Sequence, residues 1–407
     1  MGIELAWNDP DEPVPGDPAE RTAGKRLRRR RRRRLLAAGF ALLVALLLVA
    51  GATGYVIFSH LNGNIKQADI RSMLGPQPAD LHPQAQNILV LGSDTRQGQG
   101  FGIIPSSSTD QSDTLMVIHI PADRKWAEVM SIPRDSWVTI PACEMGNGHM
   151  SSPHQFKINE AFAIGNLYGN HTATGAACTV KTIERDTGIY IDHFIVVNFN
   201  GFRAMVAALG GVPECNPTPI DDPQSGLTLS AGYHLLTPEQ ALVYVRARYG
   251  LGNGSDLDRI GRQQVFMSSL VSRVKGKLTD PLAVYRFLDA ATRSVTIDSQ
   301  LGGIGGLYDL GQSLRGIPAQ DIAFFTLPNF PRGQVVPSDT ANVLWTQPAG
   351  NAIFESFRDD EPASPALFGQ QAGGTGKGLA VGSMTQVAPS PAPTIQGRTA
   401  NQSICAG

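Results

Sequence analysis

The chain has 407 residues, with 34 Lys/Arg against 35 Asp/Glu and a formal net charge of −1. That length suits one large domain or two ordinary ones. The charges are uneven: residues 1–34 hold ten basic and six acidic groups, leaving 24 against 29 beyond them. The basic excess is thus confined to one block, which excludes a basic nucleic-acid-binding domain, and no nucleic-acid partner is expected.

Residues 1–24 are rich in Pro and acidic groups and are expected to be disordered. Lys25-Arg26-Leu27 leads into seven consecutive arginines at 28–34, and residues 35–58 follow without a charge. As a helix rising about 1.5 Å per residue, those 24 residues can cross a hydrocarbon core of about 30 Å. An arginine block directly against such a run reads as a topology signal rather than a nuclear or nucleic-acid-binding patch. It holds residues 1–34 in the cytoplasm and places 59–407 outside the cell. Ala50-Gly51-Ala52 resembles a signal-peptidase site, but the apolar run continues through Tyr55-Val56-Ile57-Phe58, so the span is read as a retained single-pass anchor. Residues 59–86 are read as a stalk.

From Asn87 to about residue 358, strands and helices alternate, which predicts an α/β domain: a layered α-β-α fold with a central mixed sheet. Asn87-Ile-Leu-Val-Leu-Gly-Ser-Asp94-Thr-Arg96 reads as a buried strand that stops at a glycine and carries Asp94 at its tip. Ser112-Asp113-Thr114 places a second aspartate just before an apolar strand at 115–120. A strand at 126–132 closes at Ser131-Ile-Pro-Arg134-Asp135. Residues 157–167 and 178–186 read as helices, 193–199 as a strand, and 202–209 as a helix capped by Gly210-Gly211. Thr237-Pro238-Glu239 opens another helix, with a Thr cap and Pro in the first position. Residues 257–278 form a longer helix, 324–327 a strand, and 340–357 a last helix interrupted near Pro348. Beyond residue 359 the chain is rich in Gly, Ala, Ser, Pro and Gln and is expected to be disordered.

Two strand-end carboxylates, Asp94 and Asp113, suit a hard divalent cation such as Mg2+, which takes oxygen ligands and keeps several waters. Arginines gather at element ends: Arg134 after a strand, Arg246 and Arg248 at the end of a helix, Arg259 and Arg262 at the start of the next. On that helix Arg259, Arg262, Gln263 and Phe266 share a face by i, i+3, i+4 spacing, while Ile260, Met267 and Leu270 lie on the core stripe. Any one arginine is explained by a local ion pair, such as Arg259 with Asp256 or Asp258. The group at three element ends predicts a phosphorylated ligand, because guanidinium binds phosphate bidentately and keeps its charge. Cys143, Cys178, Cys215 and Cys405 all fall on the outer side, where disulfides persist. No C-x-x-C spacing exists, which argues against a thiolate metal site. Three pairings are open.

The ordered motifs resemble the LytR-CpsA-Psr family of cell-wall glycopolymer transferases over residues 87–275. They are Gly92-x-Asp94-x-Arg96, Ser112-Asp113-Thr114, Ser131-Ile-Pro-Arg134-Asp135, Lys157-Ile-Asn159, Asp192-His193-Phe194, Ala208-Leu-Gly-Gly211-Val212, Val245-Arg-Ala-Arg248 and Asp256-x-x-Arg259-x-x-Arg262-Gln263. The resemblance implies a Mg2+-dependent phosphotransferase. It would move a phosphorylated glycan from a polyprenyl-diphosphate carrier to peptidoglycan, at the muramic acid 6-hydroxyl. Residues 87–358 would be its extracellular catalytic domain. It implies that Asp94 and Asp113 hold the metal and that Arg134, Arg246, Arg248, Arg259 and Gln263 contact the pyrophosphate. Arg96, Lys157 and Arg262 join that set as further motif positions. Asp94, Arg134 and Asp135 are the catalytic candidates; Asp94 and Asp135 stay open as alternatives for the base that takes the attacking hydroxyl's proton. Gln111 stands where many relatives carry Arg, and the Gly/Ser-rich stretch between Asp94 and Asp113 suggests a lid. The resemblance also implies a Cys143–Cys178 disulfide, with Cys215–Cys405 as the remaining pair. The apolar clusters at 194–199 and 202–209 are read as core rather than as a lipid groove. Two alternatives are carried: a polyprenyl-diphosphate phosphohydrolase, and a membrane-anchored lipid-phosphate-binding or regulatory protein without turnover.

Overall fold

The computed structural model describes residues 18–93, 112–168, 172–223, 225–247, 256–277, 279–363 and 398–399. The chain divides into two compact units, residues 1–60 and 61–407. Within the first lies most of helix α1 (Pro18–Asn64). Its stretch Arg31–Asn64 is long and apolar enough to cross a membrane. The side chains along 35–58 are exposed.

The second unit is built on one twisted sheet of eight strands: β1 (Lys66–Ala68), β2 (Gln86–Ser93), β3 (Ser112–Ile120), β4 (Ala127–Ile132), β5 (His193–Asn198), β6 (Val295–Asp298), β7 (Ile322–Thr326) and β8 (Arg398–Thr399). Their order is β1-β6-β5-β2-β3-β4-β7-β8. The β1/β6, β5/β2 and β4/β7 pairs are parallel and the others antiparallel, so the sheet is mixed. Strand alternation sends successive apolar residues to opposite faces. Leu89, Leu91, Leu115 and Val117 meet α2 (Glu160–Gly165), α3 (Thr172–Thr187) and, later in the chain, the helix Ala349–Arg358. Ile88, Met116, Val129 and Phe324 meet the opposite layer, which includes Met267, Leu310 and Leu314. The result is the α-β-α sandwich expected from the sequence.

A second core joins α4 (Phe199–Ala208), α5 (Pro238–Arg246) and α6 (Asp256–Lys277) through Val206, Tyr244 and Phe266. Thr237 caps α5 in a full capping box with Gln240, and Pro238 occupies the first turn. Phe266 is fully buried there, and Arg259 and Gln263, on the same face of α6 by spacing, are buried as well. Cys143 and Cys178 form a disulfide with Cα atoms 5.3 Å apart. Cys215 is also disulfide-bonded; its expected partner, Cys405, lies outside the described residues.

Several expectations change. The segment 59–86, read as a stalk, is part of the domain: Leu61, Ile65, Ile70 and Leu74 are buried and β1 is an edge strand. Lys157 does not open a helix but ends the strand His154–Lys157, which pairs with Trp137–Ile140 in a hairpin. The stretch 340–357 splits into a strand, Val343–Trp345, paired with Asn329–Pro331, and the helix Ala349–Arg358. Pro348 separates them, because the residue before a proline is pushed out of the helical region. At the start of the tail, Asp360 accepts from Ala122 N–H (3.2 Å) and pairs with His119, and Ala363 N–H donates to Glu128.

Candidate active site

The site grows from the ends of β2, β3 and β4. Ser93 ends β2 opposite Ser112, with a bulge between Gly92 and Ser93. At Gly92 the strands run close: a Cβ there would lie 3.0 Å from the Thr114 Cβ, so a larger residue would press on the Thr114 side chain. Asp113 is therefore the second residue of β3, presented at the sheet edge. After β4, Pro133 O accepts both Ser136 N–H (3.0 Å) and Ser136 Oγ–H (2.6 Å). The resulting tight turn displays Arg134 and Asp135. Asn159 N–H donates to Arg134 O (3.3 Å) and Val343 N–H to Asp135 O (3.0 Å), which pins the turn from both sides.

Four charges then alternate in a row. Arg134 Nη1 donates to Asp113 Oδ1, Arg134 Nε lies 3.6 Å from Asp135 Oδ2, and Lys157 Nζ donates to Asp135 Oδ1 at 3.1 Å. The Asp113, Arg134 and Asp135 side chains are 15–20 % exposed, so the row is reachable yet shielded enough for charge to count. From the other side, α6 brings Arg259, whose Nη2 donates to Asp113 O at 3.2 Å. Gln263 Nε2 donates to Thr114 Oγ1 (3.2 Å) and Val245 O (3.0 Å). Arg262 Nη2 turns instead to Ala247 O, tying the start of α6 to the end of α5. The helix α5 stops at Arg246: Ala247 has ψ 138°, which is extended backbone. The Arg246 guanidinium stacks 4.3 Å over the Phe199 ring. Asp94, Arg96 and Arg248 lie outside the described residues.

So the structure brings Asp113, Arg134, Asp135 and Lys157 together, and it sets Arg259 and Gln263 against the same strand end. Sequence reasoning missed several supports. Gln264 Nε2 donates to Ser131 Oγ (3.2 Å) and Thr326 Oγ1 (3.4 Å), locking α6 to β4 and β7. A Gln beside the arginine motif carries no signal that would have singled it out. Arg332, an ordinary surface arginine by sequence, is paired with Asp339 and stacks 4.3 Å over Trp137. The apolar clusters are core, as read: Phe194, Val196, Phe199, Val206 and Leu209 are buried. A cavity of about 370 Å3 lies beside them, lined by Asn198, Gly201, Ala204, Ser294 and Thr296 among others.

Asp113 offers carboxylate oxygens, one of which accepts from Arg134 Nη1. Ser93 Oγ, fully buried and in register with Ser112, has no hydrogen-bond partner among the described residues. Among those residues no group of three or more His, Cys, Asp or Glu could hold a metal ion. Magnesium does not require one, because it is bound by one or two carboxylates plus phosphates and waters. Asp113 supplies one such carboxylate; Asp94, the other expected ligand, lies outside the described residues.

Strongly shifted carboxyls lie away from this row. Burial pushes Glu128 and Glu184 up to about 7, and Asp186 and Asp192 up to about 6. Burial also lowers His119, which sits between Asn87 Oδ1 (2.8 Å) and Asp360 Oδ1 (3.0 Å).

A family model described as the LytR_cpsA_psr family matches residues 58–351. The cell wall biosynthesis protein LcpA of Corynebacterium glutamicum is 30 % identical over 315 residues, 70 % of this chain and 58 % of that protein. The polyisoprenyl-teichoic acid–peptidoglycan teichoic acid transferase TagT of Bacillus subtilis is 28 % identical, over 67 % of this chain and 80 % of that one. The chain spans about 60 % of the length of LcpA and of the probable cell wall biosynthesis protein LcpB of the same organism. Among solved structures, a LytR-Csp2A-Psr enzyme from Actinomyces oris superposes with a TM-score of 0.52 at 20 % identity, covering 74 % of this chain and 97 % of that one. At that identity the likeness shows the fold.

Proposed function

The chain belongs to the LytR_cpsA_psr family, and from that premise we propose that it transfers a phosphorylated glycopolymer from a polyprenyl-diphosphate carrier to peptidoglycan, at the muramic acid 6-hydroxyl. The observation that carries this reading is the alternating row Asp113–Arg134–Asp135–Lys157 at the sheet edge, backed by Arg259 and Gln263. Phosphoryl transfer asks chiefly for positioning and for charge placed where the phosphate oxygens develop it. Arg134, Arg246, Arg248 and Arg259 bind and orient the diphosphate. Gln263 holds the strand end that carries Asp113. Asp135, kept in place by Lys157 and by its backbone bond to Val343, takes the proton of the attacking hydroxyl. That hydroxyl forms a bond to the glycan-bearing phosphorus, and the bond to polyprenyl phosphate breaks. Asp113, together with Asp94, would hold Mg2+, which when bound neutralises charge on the diphosphate.

The helix at 35–58 anchors the domain, and the arginines at 28–34 keep the N-terminus cytoplasmic, so the catalytic unit works on the outer surface. Protease added to intact cells is expected to degrade residues 61–363; their protection would reverse the topology. For the chemistry, the full chain in detergent is supplied with a short-chain prenyl-diphosphate glycan and peptidoglycan fragments. Glycan joined through phosphate to the fragment is expected, with Mg2+ required and Asp113→Ala inactive but folded. Free glycan phosphate as the sole product would make the protein a phosphohydrolase.

A further inference from the structure

The hairpin of Trp137–Ile140 and His154–Lys157 begins two residues after Asp135. Its register sets Trp137 opposite Lys157 and Thr139 opposite Gln155, so these four side chains leave one face of the hairpin. Lys157 reaches from that face to Asp135. Trp137, Thr139 and Gln155 instead line an open cleft of about 240 Å3, completed by Asp186 of α3 and by Trp345. Trp345 is tied to the same turn as Asp135: its strand pairs with Ser136, and Val343 N–H donates to Asp135 O.

Three polar atoms of this lining are buried and have no hydrogen-bond partner among the described residues, Nε1 of Trp137, Nε1 of Trp345 and Oδ2 of Asp186, while Asp186 Oδ1 pairs with Arg185 at 3.0 Å. The two indoles only donate and the ionised carboxylate only accepts. Buried groups left in this state are uncommon in folded proteins, and three around one cleft ask for a ligand that both accepts and donates. The indoles are also held rigid. Arg332 stacks on Trp137 at 4.3 Å, and Phe354 braces Trp345 edge-on at 5.4 Å.

A sugar ring meets these demands together. Its hydroxyls accept from an indole N–H and donate to a carboxylate, and its C–H face lies on an aromatic plate. A purely apolar ligand would leave all three atoms unpaired. We propose that the cleft between Trp137, Trp345 and Asp186 is a subsite for a pyranose ring, placed to feed a glycan to the Asp135–Lys157 pair. The setting rests on the transferase reading, in which donor and acceptor are both glycans; binding itself does not depend on turnover.

The test is calorimetric titration of the full chain in detergent with four probes: a peptidoglycan tetrasaccharide without stem peptide, N-acetylglucosaminyl diphosphate on a short prenyl chain, the same prenyl diphosphate without sugar, and the free stem peptide. Trp345→Phe keeps a ring against Phe354 and removes the N–H; Asp186→Asn removes the charge; Gln155→Arg crowds the cleft from an exposed position. Near-ultraviolet circular dichroism checks that each variant is folded. At least a tenfold loss of tetrasaccharide affinity in all three, with affinity for the sugar-free prenyl diphosphate within twofold of wild type, assigns the ring to the acceptor. The same loss confined to the sugar-diphosphate probe assigns it to the donor. The proposal is overturned if neither sugar probe binds wild type, if the variants bind both as wild type does, or if the stem peptide alone occupies the cleft. Glycan binding without any transfer product would refute the transferase reading and leave the subsite standing.

Discussion

Arg134 bridges two carboxylates, and replacing it by Met separates its structural from its chemical work. The guanidinium holds Asp113 through Nη1 and Asp135 through Nε at 3.6 Å. Asp135 retains Lys157 at 3.1 Å, so the loss falls on Asp113, whose side chain is 20 % exposed. Breaking a fully buried pair costs about 3–5 kcal/mol and an exposed one about 0–1. At this depth about 2 kcal/mol is expected, or roughly 3 °C in Tm for a domain of about 300 residues. Turnover should fall much further, about 100-fold or more, because a preorganised donor to the reacting phosphate is gone. Asp113→Asn combined with Arg134→Met removes the stranded charge. The double variant should regain about half of the lost Tm and none of the activity. Thermal unfolding and product formation on a short-chain prenyl-diphosphate glycan read the two quantities independently. Arg134→Met turning over within threefold of wild type would refute the reasoning, and so would recovery of turnover in the double variant.

Arg246→Lys and Arg248→Lys keep the charge but lose the guanidinium fork, and each should weaken carrier binding or turnover about tenfold. The exposed Arg315→Lys serves as the reference, and equal kinetics in all three would remove the pair from the diphosphate clamp. Replacing both Cys143 and Cys178 by Ser opens a loop with a sequence separation of 35 residues and should cost about 2–4 kcal/mol, read by chemical denaturation. Glu128 is raised by burial to about 7, so its neutral form favours folding, and that contribution is lost as pH rises from the usual carboxylate range through 7. Glu128→Gln should therefore match wild type near pH 5 and exceed it by about 1–3 kcal/mol near pH 8. An equal gain at both pH values would show that the charge is not the cause.

Much of the architecture was readable along the chain. The arginine block beside an uncharged run, the strand rhythm from Asn87, the Thr-Pro opening of α5 and the eight ordered motifs are all local patterns. They announce themselves because burial, capping and backbone preference act over a few residues. The elements that were misread are those where a distant partner outweighed local preference. The residues around Lys157 became strand because Trp137–Ile140 lay alongside, and 343–345 became strand against Asn329–Pro331. The segment read as a stalk folded onto β6, more than two hundred residues away in sequence. The site shows the same division. Sequence alone named Asp113, Arg134, Asp135 and Lys157 as chemistry-bearing residues. Only the tertiary structure decided that they form one alternating row, that Arg262 turns to a backbone carbonyl, and that Trp137 and Trp345 line one cleft. Side chains separated by 21 to more than 200 positions meet through sheet register and turn geometry, which depend on the whole chain closing at once and leave no periodic trace in any short window.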